Sequence, residues 1–305
     1  MVKFGFKKGF QRYQCRVCKR TRSDIPENPL VNLRVPFEKA VMVVSLLAES
    51  NGIRAIERLT GLNRRTILNI LAVAGQKAAA FLDANVRNVN ADSVQADEIH
   101  SFVFSKQMNT DGRHVHRGDQ FTFLAVDRRS KLIISSLVGK RTRENCDKFL
   151  TDLKNRVANR FQLTTDNWQI YSGVCGSVGH VFGRELDYAT ETKVFARPAQ
   201  FVPRRVTSIR RKARIGCPDM ELATTCHAER TNLSVRLFNR RLTRCTLGYS
   251  KKLENLKYTI AFFVWHFNFS RQHSTLGKTP AQEAGLIGNA MTVSDLLRYQ
   301  PYNTP

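Results

Sequence analysis

The chain has 305 residues, of which 42% are hydrophobic and 9% aromatic, a composition typical of a folded protein and not of a disordered one. Lysine and arginine total 49 against 25 acidic residues, a formal charge of +24 that indicates a polyanionic partner and is a poor fit to a paired-carboxylate glycosidase. Because no apolar run approaches the roughly 18 to 20 residues that span a bilayer, we expect no membrane partner and favour nucleic acid.

The basic start of the chain is not followed by an apolar run, so we expect no secretion signal. Seven cysteines, an odd number, argue against a disulfide framework. Both observations predict a cytoplasmic protein, associated with the nucleoid if it binds DNA in a prokaryote.

Residues 1–29 predict a basic N-terminal arm that contains a partial zinc ribbon. Cys15 and Cys18 form a C-x2-C pair, which is half of a tetrahedral zinc site, and no second pair lies nearby. The pair therefore either binds Zn²⁺ or is a reduced pair left over from a truncated zinc ribbon.

Residues 30–85 predict a small all-α domain with a helix-turn-helix. Apolar residues recur at helical spacing up to Gly61, and Asn63 can cap a second helix. The polar face of that second helix carries side chains that suit phosphates and base edges, and we expect them to bind DNA: Arg64, Arg65 and Asn69. An ordinary helical hairpin with a solvated basic face is the alternative.

From Ser93 onward, β-branched and aromatic residues predict strands, with a helix opened by Thr142 after the third of them. The predicted strands are Ser93–Phe104, Phe121–Asp127, Leu132–Val138, Phe161–Thr165 and a segment around Leu186–Phe195. Three strands, a helix and a fourth strand predict an α/β fold over residues 90–290: a ribonuclease H-like mixed sheet flanked by helices.

The second half of the predicted catalytic domain begins with a basic insertion around residues 172–225. Within it, residues 196–214 have few apolar anchors and predict a loop that touches phosphate, with these basic side chains: Arg197, Arg204, Arg205, Arg210, Arg211, Lys212 and Arg214. A helix from about His227 should bury a face that includes Leu233, Leu237, Phe238 and Leu242. A second helix runs from Leu253 through Phe267, and residues 291–305 form a C-terminal tail.

Three acids stand out by their positions: Asp97 within the first strand, Asp166 at the end of the fourth, and Glu229 near the start of a helix. Cleaving and joining phosphodiesters needs two hard divalent cations, which prefer carboxylate ligands. Helix caps and surface ion pairs use the same residue types, so spacing alone does not assign these acids.

Several blocks, in order along the chain, resemble transposases of the insertion sequence 1 family: Gln95–Val103, Leu163–Asn167, Ala228–Arg236, Gly248–Asn255, Phe267–Leu276 and Thr279–Gly285. The resemblance extends from about Phe37 to Leu286. It departs from the family in lacking the first half of the zinc ribbon, and in having His100 and Trp168 at positions where other residue types are usual.

The resemblance implies a DDE-type enzyme with a ribonuclease H-like fold whose catalytic and metal-binding acids are Asp97, Asp166 and Glu229. Only the family pattern selects Asp97 over its neighbour Glu98. It further implies two Mg²⁺ (or Mn²⁺) ions and DNA contacts from the helix that carries Glu229 and from the residues after it: Arg230, Asn232, Arg236 and Arg240.

The implied activity is binding of the terminal inverted repeats of an insertion sequence, followed by cleavage and strand transfer. The partners are double-stranded DNA, as element ends and target, and a second copy of the chain in a homodimer or larger synaptic complex. Two alternatives stay open: an inactive or domesticated helix-turn-helix regulator, and a nuclease that cuts without joining.

Overall fold

The computed structural model describes residues 1–7, 10–23, 30, 33–110, 113–114, 116–172, 176–196 and 205–300. Its first strands, β1 (Val2–Lys7), β2 (Phe10–Gln14) and β3 (Thr21–Ser23), form a small antiparallel sheet. Cys15 and Cys18 lie in the turn between β2 and β3. The described residues of the predicted basic arm thus form a three-stranded sheet.

Three helices follow: α1 (Phe37–Ala48), α2 (Ile53–Thr60) and α3 (Arg64–Asn85). Gly61 ends α2 in the left-handed conformation at φ 68°, which glycine adopts without strain. The Asn63 side chain accepts a hydrogen bond of 2.9 Å from the Arg65 backbone N–H, as the capping pattern predicted. Helices α2 and α3 and the turn between them lie where the sequence predicted them. Their use as a DNA-binding unit stays a prediction.

The sequence analysis found no apolar run long enough to span a bilayer. Helix α3, however, is long and apolar enough to cross a membrane by length and composition alone. Half of its most apolar window is buried, and it packs against α8 (Leu253–Trp265) and α10 (Val293–Arg298). A Cβ atom at Gly75 would lie 2.4 Å from Cβ of Tyr258, so α3 and α8 approach each other at a distance only glycine permits.

A six-stranded mixed sheet lies at the centre of the fold, in the order β6-β5-β4-β7-β8-β9. Its strands are β4 (Ser93–Val103), β5 (Gly118–Asp127), β6 (Ile133–Gly139), β7 (Gln162–Thr165), β8 (Asp187–Phe195) and β9 (Val206–Ile215). Strands β4, β7 and β8 are parallel neighbours, and the other pairs are antiparallel. This α/β sheet, flanked by helices, is compatible with the predicted ribonuclease H-like fold.

The remaining elements surround that sheet. They are a 3₁₀ turn (Gln107–Asn109), α4 (Arg143–Lys154), α5 (Gln169–Ser172), α6 (Ser177–Phe182), α7 (Cys226–Phe238), a π-helical turn (His266–Ser270) and α9 (Pro280–Glu283). Thr142 caps α4 as predicted, and Cys146, Phe149, Leu150 and Leu153 form its buried face. Side chains on the sheet and helices form one continuous apolar core.

The prediction of a loop over residues 196–214 was wrong for residues 206–214, because residues 206–215 form the edge strand β9. It pairs antiparallel with β8, with Arg210 opposite Thr192 and Lys212 opposite Thr190. Backbone hydrogen bonds to β8 hold the strand, so it needs no apolar side chains and shows no alternating pattern. Arg197 and Arg204 lie outside the described residues.

The predicted buried face of α7 was also wrong in part. Leu233 and Leu237 are 52% and 63% exposed, whereas Ala228, Thr231, Asn232 and Val235 form the buried face. This helix packs on β4 and β5 close to buried acids, so it turns small and polar side chains inward and its large leucines outward. Leu242 is buried as expected.

Candidate metal centre

Strands β4 and β7 bring three acids together. Ala96 lies opposite Thr165 in the parallel register, so the next residues, Asp97 and Asp166, occupy equivalent positions on adjacent strands. Oxygens of Asp97, Glu98 and Asp166 all lie within 4.8 Å of one another, a spacing that can hold a metal ion. The donors are all carboxylate oxygens, the ligands that hard divalent cations prefer.

Asp97 lies on the face of the sheet that α7 covers. The Asn232 amide donates a hydrogen bond of 2.7 Å to Asp97 Oδ2, and the Glu98 backbone N–H donates one of 2.8 Å to Oδ1. Burial raises the pKa of Asp97 to about 6, and the charges of Asp166 and Glu229 add to the rise. The carboxylate is therefore held in position while its negative charge is disfavoured.

Glu98, the next residue on β4, has a carboxylate oxygen in the same group as those of Asp97 and Asp166 but a different partner. Only 3% of its side chain is exposed, and Arg141 Nη2 lies 3.3 Å from its Oε2. Burial raises the pKa of Glu98 to about 7, with Asp166 adding to the rise and Arg141 opposing it. The same guanidinium lies 3.8 Å from Asp166 and stacks over the Trp168 ring at 4.2 Å.

Glu229, the third acid of the sequence prediction, lies in the first turn of α7 and is held away from the group of three. Its Oε1 forms an ion pair with Lys193 and accepts a 3.0 Å hydrogen bond from the Thr225 hydroxyl. Its charge nevertheless contributes to the raised pKa of Asp97. The structure thus brings Asp97 and Asp166 together with Glu98, and places Glu229 beside them in an ion pair.

Gln95 sets the position of α7 relative to these acids. It is completely buried on β4, and its Oε1 accepts hydrogen bonds from the backbone N–H groups of His227 (2.8 Å) and Ala228 (3.2 Å). These N–H groups open the helix and have no partner within it. The sequence analysis missed Gln95 as a functional residue, because β4 carries several polar side chains and nothing local marks this amide as buried.

A second buried acid, Glu191 on β8, ties the base of α7 to the basic edge strand. Its Oε1 accepts a hydrogen bond of 3.0 Å from the Thr225 hydroxyl, and its Oε2 lies 3.2 Å from Arg211 Nε. Thr225 Oγ1 thus lies 3.0 Å from an oxygen of each acid, Glu191 and Glu229, and its single proton is donated to one of them at a time. Sequence reasoning also missed Glu191 and Arg141, whose roles depend on contacts between distant segments.

The donor set fits a hard divalent cation. Asp97 and Glu98 both have raised pKa values, in part because carboxylates lie next to one another. Among the described residues, nearby positive charge comes from Arg141 and Lys193, each already paired with an acid, and from Arg236, which interacts with Asp97. A bound cation would balance the remaining negative charge.

Cys15 and Cys18 show part of what a zinc site needs. Backbone N–H groups of Cys18 and Val17 lower the pKa of the Cys15 thiol, which favours the thiolate that binds metal. Within the described part of the chain, no third histidine, cysteine or acid joins the pair at ligand distance. Zinc binding by Cys15 and Cys18 stays a prediction.

The residues predicted to bind DNA fall in two places. Arg64, Arg65 and Asn69 are exposed on the first turns of α3, and Arg64 lies 3.2 Å from Glu57. Arg230 and Arg240 are exposed, and Arg236 is half-buried, on and after α7. Asn232 is buried and its amide binds Asp97, so the structure shows it positioning the acid.

The chain matches no protein-family model, and a search of the curated proteins finds none that is similar. The resemblance to transposases therefore rests on the residue blocks of the sequence alone.

Proposed function

We propose that this protein is a DDE-type transposase that cuts DNA at the ends of an insertion sequence and joins them to a target. The observation that carries the proposal is the juxtaposition of Asp97 and Asp166 on adjacent parallel strands, with Asn232 and Glu229 of α7 beside them. A carboxylate cluster in a chain of charge +24 suits an enzyme that binds a cation and a polyanion together.

Asp97 and Asp166 would hold Mg²⁺ or Mn²⁺, with Glu98 or Glu229 completing the set. Two such ions, when bound, lower the pKa of an attacking water or 3′ hydroxyl and neutralise the charge that develops on the leaving oxygen.

Asn232 fixes the rotamer of Asp97 through the 2.7 Å hydrogen bond to Oδ2. Arg141 screens the repulsion between Glu98 and Asp166 by contacting both. Lys193 holds Glu229 at the edge of the cluster, and release of that ion pair would free the carboxylate to turn toward Asp97. These contacts keep the acids in place before any ligand arrives, which lowers the cost of assembling the site.

The basic side chains around the cluster would hold the DNA backbone. Arg210 and Lys212 are exposed on β9, and Arg230 is exposed beside Glu229. Each phosphate contact releases counterions, so binding should weaken steeply with salt. Holding two element ends together requires at least two copies of the chain, and we include that assembly in the proposal.

The test is a strand-transfer assay with the full-length protein, Mg²⁺ or Mn²⁺, and a plasmid carrying the DNA that flanks the gene. Asp97→Asn and Asp166→Asn should each lower the yield of joined product by about a thousandfold or more, since a catalytic metal contributes several kcal/mol. Asp92→Asn, an exposed acid just before β4, is the matched control and should keep wild-type yield.

Three outcomes separate the proposal from its alternatives. Joined product that needs both acids supports a transposase. Cleaved ends without joined product would indicate a nuclease of the same fold. DNA binding without any metal-dependent product, even on DNA with inverted repeats, would indicate a regulator and would end the catalytic proposal.

A further inference from the structure

A cavity of about 680 Å³ lies away from the acids, where the loop between α1 and α2, the start of α3, helix α8 and the segment after α7 meet. Its volume falls within the roughly 300 to 1,000 Å³ usual for small-molecule sites. We call it the arginine-lined cavity. Glu229 and Phe238, which lines the cavity, are nine residues apart on α7, or about 14 Å at 1.5 Å per residue.

The charged side chains that line the cavity are all cationic. Its lining includes five cationic side chains and no acidic one: Arg54, Arg64, Arg240, Arg241 and Lys251. Arg64 and Arg240, which sequence analysis assigned to DNA from two distant segments, meet here. The ligand that suits such a wall carries negative charge.

Two buried donors in this wall lack a partner among the described residues. Asn239 is only 4% exposed, and its Nδ2 makes no hydrogen bond within that part of the chain. The Arg241 guanidinium uses Nη1 to donate to the Ser250 hydroxyl at 3.1 Å, whereas Nη2 is buried and unpaired. Burial alone lowers the pKa of Arg241 to about 10, so no acid compensates its charge. Buried donors without partners are costly, and both would be satisfied by an anionic ligand with acceptor oxygens.

The floor of the cavity is aromatic. Phe262 and Phe263 of α8 line it and are buried, and Phe238 and Tyr249 complete the aromatic lining. Arg271 covers one face of the Phe238 ring, and Lys251 covers one face of the Tyr249 ring. Aromatic rings at such sites stack on planar bases, and arginines beside them bind phosphate. An inorganic anion would leave this apolar surface uncovered, whereas a nucleotide covers it and reaches the donors.

We propose that the arginine-lined cavity binds one nucleotide unit, with its base against the aromatic floor and its phosphate on Arg241, Asn239 and the basic rim. The unit is either a nucleotide turned out of the stack of bound DNA or a free mononucleotide. The proposal goes beyond the catalytic one, because the cavity contains none of the acids and would serve a DNA-binding protein that does not cut.

The test is photo-crosslinking of the full-length protein to a DNA duplex whose single-stranded overhang carries one 5-iodouracil. EDTA is present throughout, so that failure of catalysis cannot affect the result. We expect the cross-linked peptide to contain Phe238 or Tyr249. Competition by millimolar thymidine monophosphate, together with its binding measured by calorimetry, would show that free nucleotides enter as well; cross-linking without competition would assign the cavity to DNA.

Two variants probe the wall. Asn239→Asp keeps the oxygen that accepts from the Arg241 backbone N–H but replaces the free donor with a negative charge. It should lower cross-linking per bound DNA about tenfold or more, the effect of losing a hydrogen bond to a charged group. Asn88→Asp, at an exposed position three residues after the end of α3, adds the same charge elsewhere and should have no such effect.

Arg54→Glu is a second variant that does not disturb the interior, because Arg54 is exposed on the rim. Its control is Arg58→Glu, an exposed arginine one turn further along α2 that does not line the cavity. The proposal predicts a loss for Arg54→Glu alone. Cross-links that map outside the lining segments, or equal yields from each variant and its control, would overturn it.

Discussion

Strands β4 and β9 belong to the same sheet but present charge in opposite ways. On β4 the acids are buried and each has a fixed partner, Asn232 for Asp97 and Arg141 for Glu98. On β9 the basic side chains are exposed along an edge. Metal ligands must be held at defined positions, whereas attraction of phosphate needs only charge nearby. We therefore expect substitutions at the acids to change chemistry, and substitutions on β9 to change affinity in small steps.

A large effect that probes this contrast should come from a neutral residue, Gln95. Gln95→Leu removes the acceptor for the N–H groups of His227 and Ala228 and leaves each unpaired at a cost of about 1–3 kcal/mol. Helix α7 should then shift and carry Asn232 away from Asp97. We expect strand transfer to fall about a hundredfold, measured at saturating DNA.

Gln120→Leu is the control for that prediction. Gln120 is also buried, on the neighbouring strand β5, and its Nε2 has no partner within the described residues. Its replacement should cost little, because no helix start depends on it. If Gln95→Leu stayed as active as Gln120→Leu, α7 would not need Gln95 for its position.

A second prediction concerns pH, since the pKa values of Asp97 and Glu98 are raised to about 6 and about 7. The folded chain keeps protons that the unfolded chain releases near pH 4, so without a divalent cation the free energy of unfolding should decrease as pH rises from about 4 to 7. The decrease is at most about 3 kcal/mol per acid. Burial is the main cause of both raised pKa values. The charges of Asp166 and Glu229 add to the rise, and those of Arg141 and Lys193 oppose it.

Thermal melting with and without Mg²⁺ measures this dependence. At pH 8 the cation should raise the melting temperature, because it binds the ionised acids, and at pH 5 it should have little effect because protons occupy them. Asp97→Asn should flatten the pH dependence in the absence of metal. A melting temperature that rises steadily from pH 5 to 8 without metal would contradict the expected sign.

A third prediction separates the two neighbouring acids of β4. Glu98→Gln should lower strand transfer only about tenfold, because Glu98 is paired with Arg141 and Arg141 keeps its contact with Asp166 in the variant. Asp97→Asn should lower it about a thousandfold, as expected for a metal ligand. The two variants are compared at saturating Mn²⁺. Equal losses of strand transfer would mean that Glu98 binds the metal as Asp97 does.

Much of the sheet was predictable because strand patterns are local. The strand predicted at Ser93–Phe104 is β4 at Ser93–Val103, and the Thr142 cap of α4 lies where the sequence placed it. Asp97 and Asp166 could be singled out because each has a definable place in a strand, and the family resemblance selected them among other acids. Neither inference required knowledge of contacts between distant segments.

The rest depended on tertiary contacts that no local pattern contains. Strand β9 is held by backbone pairing with β8, so its side chains carry no signal of it. The outward leucines of α7, Leu233 and Leu237, follow from a polar inner face that packs near the acids. The position of Glu229 in an ion pair with Lys193, rather than within the acid group, likewise reflects where β8 lies relative to α7.

The smallest expected effect concerns β9. Arg211 and Arg214 have partners, Glu191 for the first and Asn167 for the second, whereas Arg210 and Lys212 are exposed on the same strand. The double substitution Arg210→Ala with Lys212→Ala should weaken DNA binding only several-fold, and lower the slope of log affinity against log salt by about 0.9 per lost contact.

Fluorescence anisotropy with a labelled duplex between about 50 and 200 mM salt measures that slope. Lys148→Ala on α4 is the control, because Lys148 already pairs with Glu144 and should contribute little to phosphate binding. An unchanged slope in the β9 variant would mean that the edge strand does not contact DNA. A loss of strand transfer larger than the loss of binding would mean instead that β9 positions the DNA for chemistry, and the contrast with β4 would no longer hold.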